Sequence, residues 1–364
     1  MAAGTSGESD GTSGSDTPGH DSGGREDDSV GPGDGSEGHD TAALPHPAFA
    51  DYAAESLSGA GVGAAGKAGR LDLAFVRDGD GTRLVRDLAR APFHVSGTLG
   101  HDPHPASETV YVQSPSGGVA QGDRHDISVA VGPDAVAHVT TSSATKVLSM
   151  ERNYAASEVA LSVGDGGHLD YVPAPTILHP DARYAQATAV DVAPGASAVV
   201  GEVVVPGRLA RGEHFDFERY ASTLRVRSHG DLLVADATHL APGADDGPGP
   251  TAPGVVGEFA VLGTLYVLAP GRDAAALADR LHDAVATASD ERAADDEGPD
   301  DDPDEDADDT TEVAAGATHL PNGAGVLVRA LGHRTGPVTD SLYAAWDTAR
   351  TDLLDVGAPA DRRQ

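Results

Sequence analysis

A repeated pattern of two alternating apolar strands joined by a glycine-containing turn limits the fold more than any other feature. It occurs at residues 127–140 (ISVAV-GPDA-VAHVT), 159–172 and 190–201, and residues 224–236 fit it as a fourth copy. Alternation with a period of two is typical of strands that bury one face. Because the turns recur at a spacing of roughly thirty residues, the sequence predicts a mainly β fold, in which antiparallel β-hairpins stack as two packed sheets in a sandwich or solenoid.

Further elements flank these repeats. The glycines within 78–81 predict a tight turn between strands at 71–77 and 82–88, and a last hairpin is expected at 316–331. Leucines and a valine four residues apart predict a helix over 273–289. A second C-terminal helix is expected over 338–354, and a short one at 47–57.

Acidic charge is concentrated in two segments. The formal net charge is −34, of which residues 1–42 carry −9 and residues 290–312 carry −13. Segments of this composition bury too little apolar surface to offset the conformational entropy that they would lose on folding. We therefore predict a disordered acidic tail over 1–42, then a single β-rich domain over 43–364 with a disordered acidic insertion at 290–312. The large excess of acidic residues and the scarcity of lysine indicate a halophilic organism. The salt in its cytoplasm would screen the repulsion between the many carboxylates.

Composition also excludes several classes of protein. No basic stripe suited to phosphate is present, so nucleic acid is not an expected partner. The absence of cysteine excludes disulfides and thiolate sites. No run of about 18 apolar residues predicts a membrane span, and no secretory signal precedes the tail. These observations predict a cytoplasmic protein.

Motifs for catalysis or a resident metal are weak. Residues 61–67 fit G-x-x-x-x-G-K, but Ala68 stands where a phosphate loop has Ser or Thr. His101, Asp102 and His104 form the tightest local group of metal-ligand types, without a second pair at zinc-finger spacing. Neither G-x-S-x-G nor H-E-x-x-H occurs. We therefore expect no catalytic residue, no cofactor and no stably bound metal.

Two carboxylates stand in unusual surroundings. Asp123 ends a glycine turn that includes Gly122, where a carboxylate can accept several backbone donors, and it is either a turn cap or a functional group. Glu202 lies among valines at 199–205 and requires a partner or a wet cavity. Arg208 is a possible partner, so Glu202 belongs either to a buried ion pair or to a polar lining of the interior.

Several motifs in order resemble the family of the urease accessory protein UreD, called UreH in some bacteria. The stretches 114–131 (SPSGGVAQGDRHDISVAV) and 140–149 (TTSSATKVLS) carry its P-x-G-G-x-x-x-G-D and T-T-x-x-A-T-K signatures. Similar stretches follow at 169–186, 201–217 and 326–332, and the chain ends with Trp346 and Arg350. The resemblance runs from about Gly66 to Leu354. After the lysine, Val147, Leu148 and Ser149 replace residues that are common in the family.

The resemblance implies a non-enzymatic maturation factor. Proteins of this family are β-rich scaffolds that bind apo-urease, a helical partner (UreF) and the GTPase UreG, and help to insert nickel into urease through a polar interior channel. Oxygen ligands hold Ni²⁺ less firmly than imidazole, so Asp123 and Glu202 become candidates for the channel lining. The resemblance also suggests a structural or partner-contact set, comprising Gly117, Gly118, Gly122, Thr140, Thr141, Lys146, Arg208, Trp346 and Arg350.

Two other functions remain open at this point. A β-sandwich hydrolase or metal-dependent enzyme could use Asp123, His125 and Glu202. A surface adhesin built of β-repeats would suit the acidic repeats, although no secretory signal accompanies them. For the scaffold, we expect partners to cover the rim from Thr140 to Lys146, the strand 199–205 and the C-terminal helix.

Overall fold

A computed structural model describes residues 46–57, 66–115, 117–244, 248–296 and 312–360. The predicted tail and residues 297–311 of the predicted insertion lie outside the described residues. The helices are α1 (Ala50–Ala54), α2 (Ala274–Asp296) and α3 (Thr335–Leu354). The strands are β1 (Ala68–Asp78), β2 (Gly81–Arg90), β3 (His94–Leu99), β4 (Ser107–Gln113), β5 (Arg124–Val131), β6 (Val136–Thr141), β7 (Thr145–Val147), β8 (Ala155–Val163), β9 (His168–Tyr171), β10 (Thr176–Leu178), β11 (Arg183–Val192), β12 (Ser197–Val205), β13 (Arg219–Ser228), β14 (Asp231–Leu240), β15 (Val261–Leu268), β16 (Val313–His319) and β17 (Gly325–Gly332).

The strands form two packed sheets. Sheet A has the order β14-β13-β11-β8-β5-β1-β2, and sheet B has the order β16-β17-β15-β12-β9-β6-β4-β3. Beside this order, β10 pairs with β12 and β7 pairs with β10. Inward side chains from both sheets make one apolar core, which includes Leu73, Val129, Leu161 and Leu169. The mainly β class, the two packed sheets, the solenoid-like stacking and the two C-terminal helices are therefore confirmed.

Three of the four repeats are not hairpins, which corrects the predicted pairing. In the first repeat β5 belongs to sheet A and β6 to sheet B, and β5 pairs in parallel with β8 of the next repeat. Likewise β6 pairs in parallel with β9, and β8 with β11. Each turn thus crosses the roughly 10 Å between the sheets. The alternation of the sequence is the same for a hairpin and for this arch, because each strand has one buried face in both.

The crossing turns stack directly on one another. The amide of Asp134 donates to the carbonyl of Asp165 in the next turn, at 3.0 Å. A Cβ at Gly166 would lie only 2.4 Å from Oδ1 of Asp134, and Gly166 has φ +68°. The left-handed backbone favours glycine there, and a Cβ would displace the side chain of Asp134 from its position beside the turn.

Genuine hairpins close the ends of the stack. The predicted pairs β1/β2, β13/β14 and β16/β17 are antiparallel. In β2 the register shifts between Leu84 and Arg86, which leaves Val85 as an extra residue. A similar shift in β14 leaves Leu233 unpaired. Both outer strands of sheet A are therefore bulged.

Helices α2 and α3 cover the outer face of sheet B. Leu277, Leu281 and Val285 of α2 and Trp346 of α3 pack with valines of β12, β15 and β17. Helix α2 continues seven residues into the predicted insertion, to Asp296, because no proline or glycine interrupts 290–296. Within the described residues, none of the helices is long and apolar enough to span a bilayer.

A strap at residues 46–57 crosses the outer face of sheet A. Phe49 in this strap is fully buried and packs against Tyr154 and three alanines. These alanines, Ala156, Ala185 and Ala221, occupy one row across three parallel strands. Their small side chains leave the space that the phenylalanine ring fills.

Candidate functional site

A glycine turn forms the rim of the candidate site. The Val119 amide donates to the carbonyl of Lys146 at 2.8 Å, which joins the turn to β7. Gly118 has φ +149°, and a Cβ there would lie 2.6 Å from the same carbonyl. A side chain at this position would push the two segments apart. Gly118 therefore fixes where Lys146 lies.

The rim surrounds a cavity of about 400 Å³ that leads between the two sheets. Five residues of the predicted set line it together: Gly117, Gly118, Thr140, Thr141 and Lys146. Deeper in the cavity the lining is polar and aromatic, with His125, Ser157, Tyr171, Tyr184 and Gln186. Residues that are far apart in the sequence thus meet at one opening.

Asp123 has a structural role beside this cavity. Its Oδ1 accepts from the amides of Gly66 and Lys67, at 3.1 and 2.8 Å, and its Oδ2 accepts from the amide of Ala120 at 2.9 Å. The Lys67 ammonium lies 3.8 Å from Oδ2, and the Asp123 side chain is fully buried. The turn-cap alternative therefore describes Asp123. It is absent from the lining of the cavity, so the prediction that it lines a channel is not supported.

A hydrogen-bonded series runs inward from the cavity. The Tyr184 hydroxyl donates to Oγ of Ser157 at 2.8 Å, and this oxygen lies 3.4 Å from Nδ1 of His125. Gln186 follows Tyr184 by two positions on β11, and its Nε2 donates to Oε1 of Glu202 at 3.0 Å. Burial raises the pKa of Tyr184 to about 12, so its hydroxyl remains a donor at neutral pH.

Glu202 is the carboxylate at the inner end of this series. Its Oε1 also accepts from the Tyr220 hydroxyl at 2.8 Å and from Oγ of Ser222 at 2.9 Å. Burial raises the pKa of Glu202, and the bonds from Tyr220 and Ser222 partly oppose that shift. All three donors come from sheet A, whereas Glu202 is on β12 of sheet B. The carboxylate therefore lies between the sheets.

Two further cavities adjoin Glu202. A cavity of about 20 Å³ extends towards Asp236, whose Oδ2 accepts from Tyr266 and Arg329, each at 2.8 Å. The other cavity, of about 300 Å³, lies between sheet B and α3. It adjoins the segment 172–175 (VPAP), where β9 has ended and β10 has not begun. Glu202 thus lines openings on two sides.

Arg208 does not pair with Glu202, contrary to the prediction. Its guanidinium forms a two-point ion pair with the carboxylate of Glu213. Strand β12 ends at Val205, and the following turn directs Arg208 away from the interior. The strand itself is central in sheet B and almost wholly buried. It is therefore not the exposed partner surface that was expected.

Trp346 and Arg350 contact the interior of the chain. The Arg350 guanidinium is fully buried between Asp102 and Asp170, with N–O distances of 2.6 and 2.7 Å. Nε1 of Trp346 donates to Asp170 at 2.7 Å. Burial alone would raise the pKa of Asp170, but the charges of His168 and Arg350 and a hydrogen bond with His168 hold it well below its usual range. Of the two roles predicted for Trp346 and Arg350, structural or partner contact, these bonds support the structural one, because they anchor α3 to Asp102 and Asp170.

Comparisons with known proteins identify the family. A family model described as "UreD urease accessory protein" matches residues 67–364. A urease accessory protein UreD from Haloarcula marismortui is 58% identical over 319 residues, covering 88% of this chain and 98% of the relative. Its counterpart from Natronomonas pharaonis is 46% identical over 317 residues, covering 87% and 98%. The chain belongs to the UreD family. The predicted family is confirmed, and the prediction of a halophilic source fits these two relatives, which come from halophilic archaea.

The UreD match begins beside the cap of Asp123. Lys67 is its first residue, and the amides of Gly66 and Lys67 are two of the three backbone amides from which Asp123 accepts. The strap at 46–57 precedes the matched part. The contacts of this strap, such as Glu55 with Arg183 at 3.0 Å, therefore involve residues that precede the matched range.

Sequence reasoning missed several residues of this UreD site. Gln186, Tyr220 and Ser222 reach Glu202 from β11 and β13, and nothing in their local sequence marks that meeting. A weak signal existed for Gln186, a polar residue at an inward position of an apolar strand. Asp102 is of a metal-ligand residue type, but in the structure its carboxylate binds Arg350.

The enzyme alternative finds little support in the geometry. Among the described residues, neither Asp123 nor Glu202 hydrogen bonds to His125; their partners are the groups given above. The oxygens of Asp123 are occupied by backbone amides. A catalytic group must be able to reach a substrate, and this carboxylate is fully buried.

Proposed function

We propose that this UreD-family chain is a cytoplasmic, non-enzymatic maturation factor for urease. It acts as a scaffold that binds apo-urease, a UreF-like helical partner and a UreG-like GTPase. Nickel is its cargo, held only in passing, and it has no resident cofactor. Family membership supports the urease role, and the polar interior supports the route of the metal.

The observation that carries the nickel route is the position of Glu202. Its carboxylate lies between the sheets and borders the cavities of about 20 and 300 Å³. The smaller of these shares Tyr171 and Gln186 with the rim cavity. Polar groups therefore follow one another from the rim to Glu202 and on to Asp236.

The chemistry of these groups suits a passing cation. Hydroxyls, amides and carboxylates offer oxygen ligands, which bind Ni²⁺ less firmly than imidazole does. At Glu202 the hydrogen bonds converge on Oε1, and a raised pKa means that proton and metal compete for the carboxylate. Such a group accepts an ion and then releases it.

Charge removal at Glu202 tests the route. Glu202→Gln keeps the accepting Oε1 and removes the charge, whereas Glu202→Ala removes both. We expect both variants to lower the nickel content and activity of urease in cells, while the tagged chain still copurifies with apo-urease. The matched control is Glu158→Gln on the exposed side of β8, which should leave urease fully active. Full nickel loading with Glu202→Ala would refute the route.

The scaffold role is tested separately. Cells that lack this chain should assemble urease with little nickel, and the purified chain should form a complex with apo-urease in high salt. Normal urease activity in those cells would refute the maturation role. Turnover of a substrate by the purified chain alone would instead favour an enzyme.

A further inference from the structure

Strand β16 differs from the other three strands at which the two sheet orders end. Strands β2 and β14 of sheet A and β3 of sheet B each contain a register shift against their neighbour. Strand β16 pairs with β17 along its whole length without such a shift. A bulge is one device by which proteins keep an edge strand from pairing with another chain. Of these four end strands, β16 alone lacks it.

Strand β16 also lacks charged side chains, which are a second device that protects an edge. Its sequence is VAAGATH, without Asp, Glu, Lys or Arg, in a chain of net charge −34. Strand β2 has three arginines and an aspartate, and β14 has two aspartates. Strand β3 is uncharged too, but it carries a register shift. Another acidic molecule can therefore approach β16 without placing like charges opposite each other on the two strands.

The outer backbone edge of β16 is open to a further strand. Its odd-numbered residues from Val313 to Ala317 pack against the apolar cluster under α2 and α3. On the other face Ala314 and Thr318 are exposed, and a Cβ at Gly316 would meet no atom within 4 Å. Within the described part of the chain, the backbone of β16 is hydrogen bonded in a sheet to β17 only. Its outward N–H and C=O groups are therefore available to a second chain.

We propose that β16 pairs antiparallel with β16 of a second copy of this chain, about a twofold axis at Gly316. Sheet B then continues from one chain into the other. The size pattern of the strand is nearly symmetric about Gly316, with an alanine on each side and the larger Val313 and His319 at the ends. Small residues therefore face small ones, and large residues face large ones. This inference is independent of the proposed maturation role.

The acidic residues before β16 favour the antiparallel orientation. Residues 290–312 carry −13 and directly precede the strand. A parallel pair brings Glu312 of both copies side by side, whereas an antiparallel pair places them at opposite ends, about 20 Å apart at the usual rise of a strand. In molar salt the screening length is about 3 Å, so charges at that distance do not repel. The contact is isologous and closes after two copies.

Charges placed on the exposed face of β16 test the contact. In the proposed register Ala314 faces Thr318 of the second copy, so Ala314→Lys/Thr318→Lys opposes two like charges at each of these pairs. The variant Ala314→Glu/Thr318→Lys opposes unlike charges at the same positions. By analytical ultracentrifugation in high salt, we expect dimers for the wild type and for the glutamate–lysine variant. The dissociation constant of the double-lysine variant should be about tenfold higher or more. The control Val85→Lys/Ala89→Lys, at exposed residues of β2, should dimerise as the wild type does.

A cross-link on the twofold axis tests the register without adding charge. The chain has no cysteine, and Gly316 has space for a side chain. In Gly316→Cys the two thiols face each other, because opposed Cβ atoms of an antiparallel pair are about 5 Å apart. A short bis-maleimide should therefore join two chains of Gly316→Cys but not of Ala89→Cys.

Three results would overturn the proposal. They are a monomeric wild type in high salt, a double-lysine variant that dimerises as its β2 control does, and a Gly316→Cys protein that the reagent does not join. If the charged variants fail to fold, the cross-link alone decides. Each of these results leaves the maturation role unaffected, since that role is read from urease activity in cells.

Discussion

Arg350 shows how a single buried charge can position a helix. Its side chain has no exposed surface and lies between Asp102 and Asp170. These two aspartates precede Arg350 by 248 and 180 positions in the sequence. Removing one partner of a buried pair leaves the others uncompensated in a medium of low dielectric. The anchoring of α3 to β9 therefore depends on this arginine.

Replacing Arg350 by methionine should be strongly destabilising. We expect a loss of about 3–5 kcal/mol in the free energy of unfolding, because Asp102 and Asp170 lose their cation. The control is Arg280→Met, which breaks the partly exposed pair with Asp352 and should cost about 0–1 kcal/mol. Denaturant unfolding in high salt measures both, and equal losses would contradict the argument.

His138 should make the fold sensitive to acid. It is buried beside Trp346, and burial lowers its pKa to about 4, while Asp170 and Asp102 oppose this shift and Arg350 and His101 add to it. The unfolded state takes up a proton near pH 6.5 and the folded state does so only near 4, so stability falls as pH decreases between them. His138→Phe should remove a loss of about 3 kcal/mol over that range.

Unfolding of wild type and His138→Phe at several pH values measures this difference. His94→Phe is the control, because that residue is exposed on β3 and its ring stays in water in both states. Parallel pH curves for the wild type and His138→Phe would show that His138 has no such role.

At the scale of the element, the strap and the arches show what a sequence pattern can and cannot specify. Alternation located most strands, and the glycines located the turns. The choice between hairpin and arch depends on which strand each backbone pairs with, and side-chain alternation is the same in both. The residues around Glu202 were unpredictable for a related reason, because three strands bring them together. The predicted pairing of Arg208 with Glu202 is wrong because the turn after β12 directs Arg208 away from Glu202, although the two residues are only six positions apart.

Phe49 should carry much of the strap's attachment. Its ring is fully buried over Ala156, Ala185 and Ala221. Phe49→Ala should cost about 3–5 kcal/mol, because a large cavity remains. Val85→Ala, at a side chain that is 50% exposed, should change stability by about 0.5 kcal/mol or less. A loss near zero for Phe49→Ala would mean that the strap is dispensable for the fold.

For the whole molecule, net charge sets the conditions in which the fold is stable. A charge of −34 on 364 residues repels itself, and screening by salt relieves that repulsion. We therefore expect Tm to rise steadily as KCl increases from about 0.2 to about 2 M. Thermal unfolding followed by circular dichroism measures it, and a Tm independent of KCl would contradict this view.

The bulges at Val85 and Leu233 have a consequence for life in brine. Concentrated salt favours association through apolar surface, and an outermost strand with free amides and carbonyls is a template on which another molecule can add. An extra residue in each outer strand of sheet A breaks the regular spacing such a template needs. A second copy should therefore not extend sheet A by adding a strand to either of its edges.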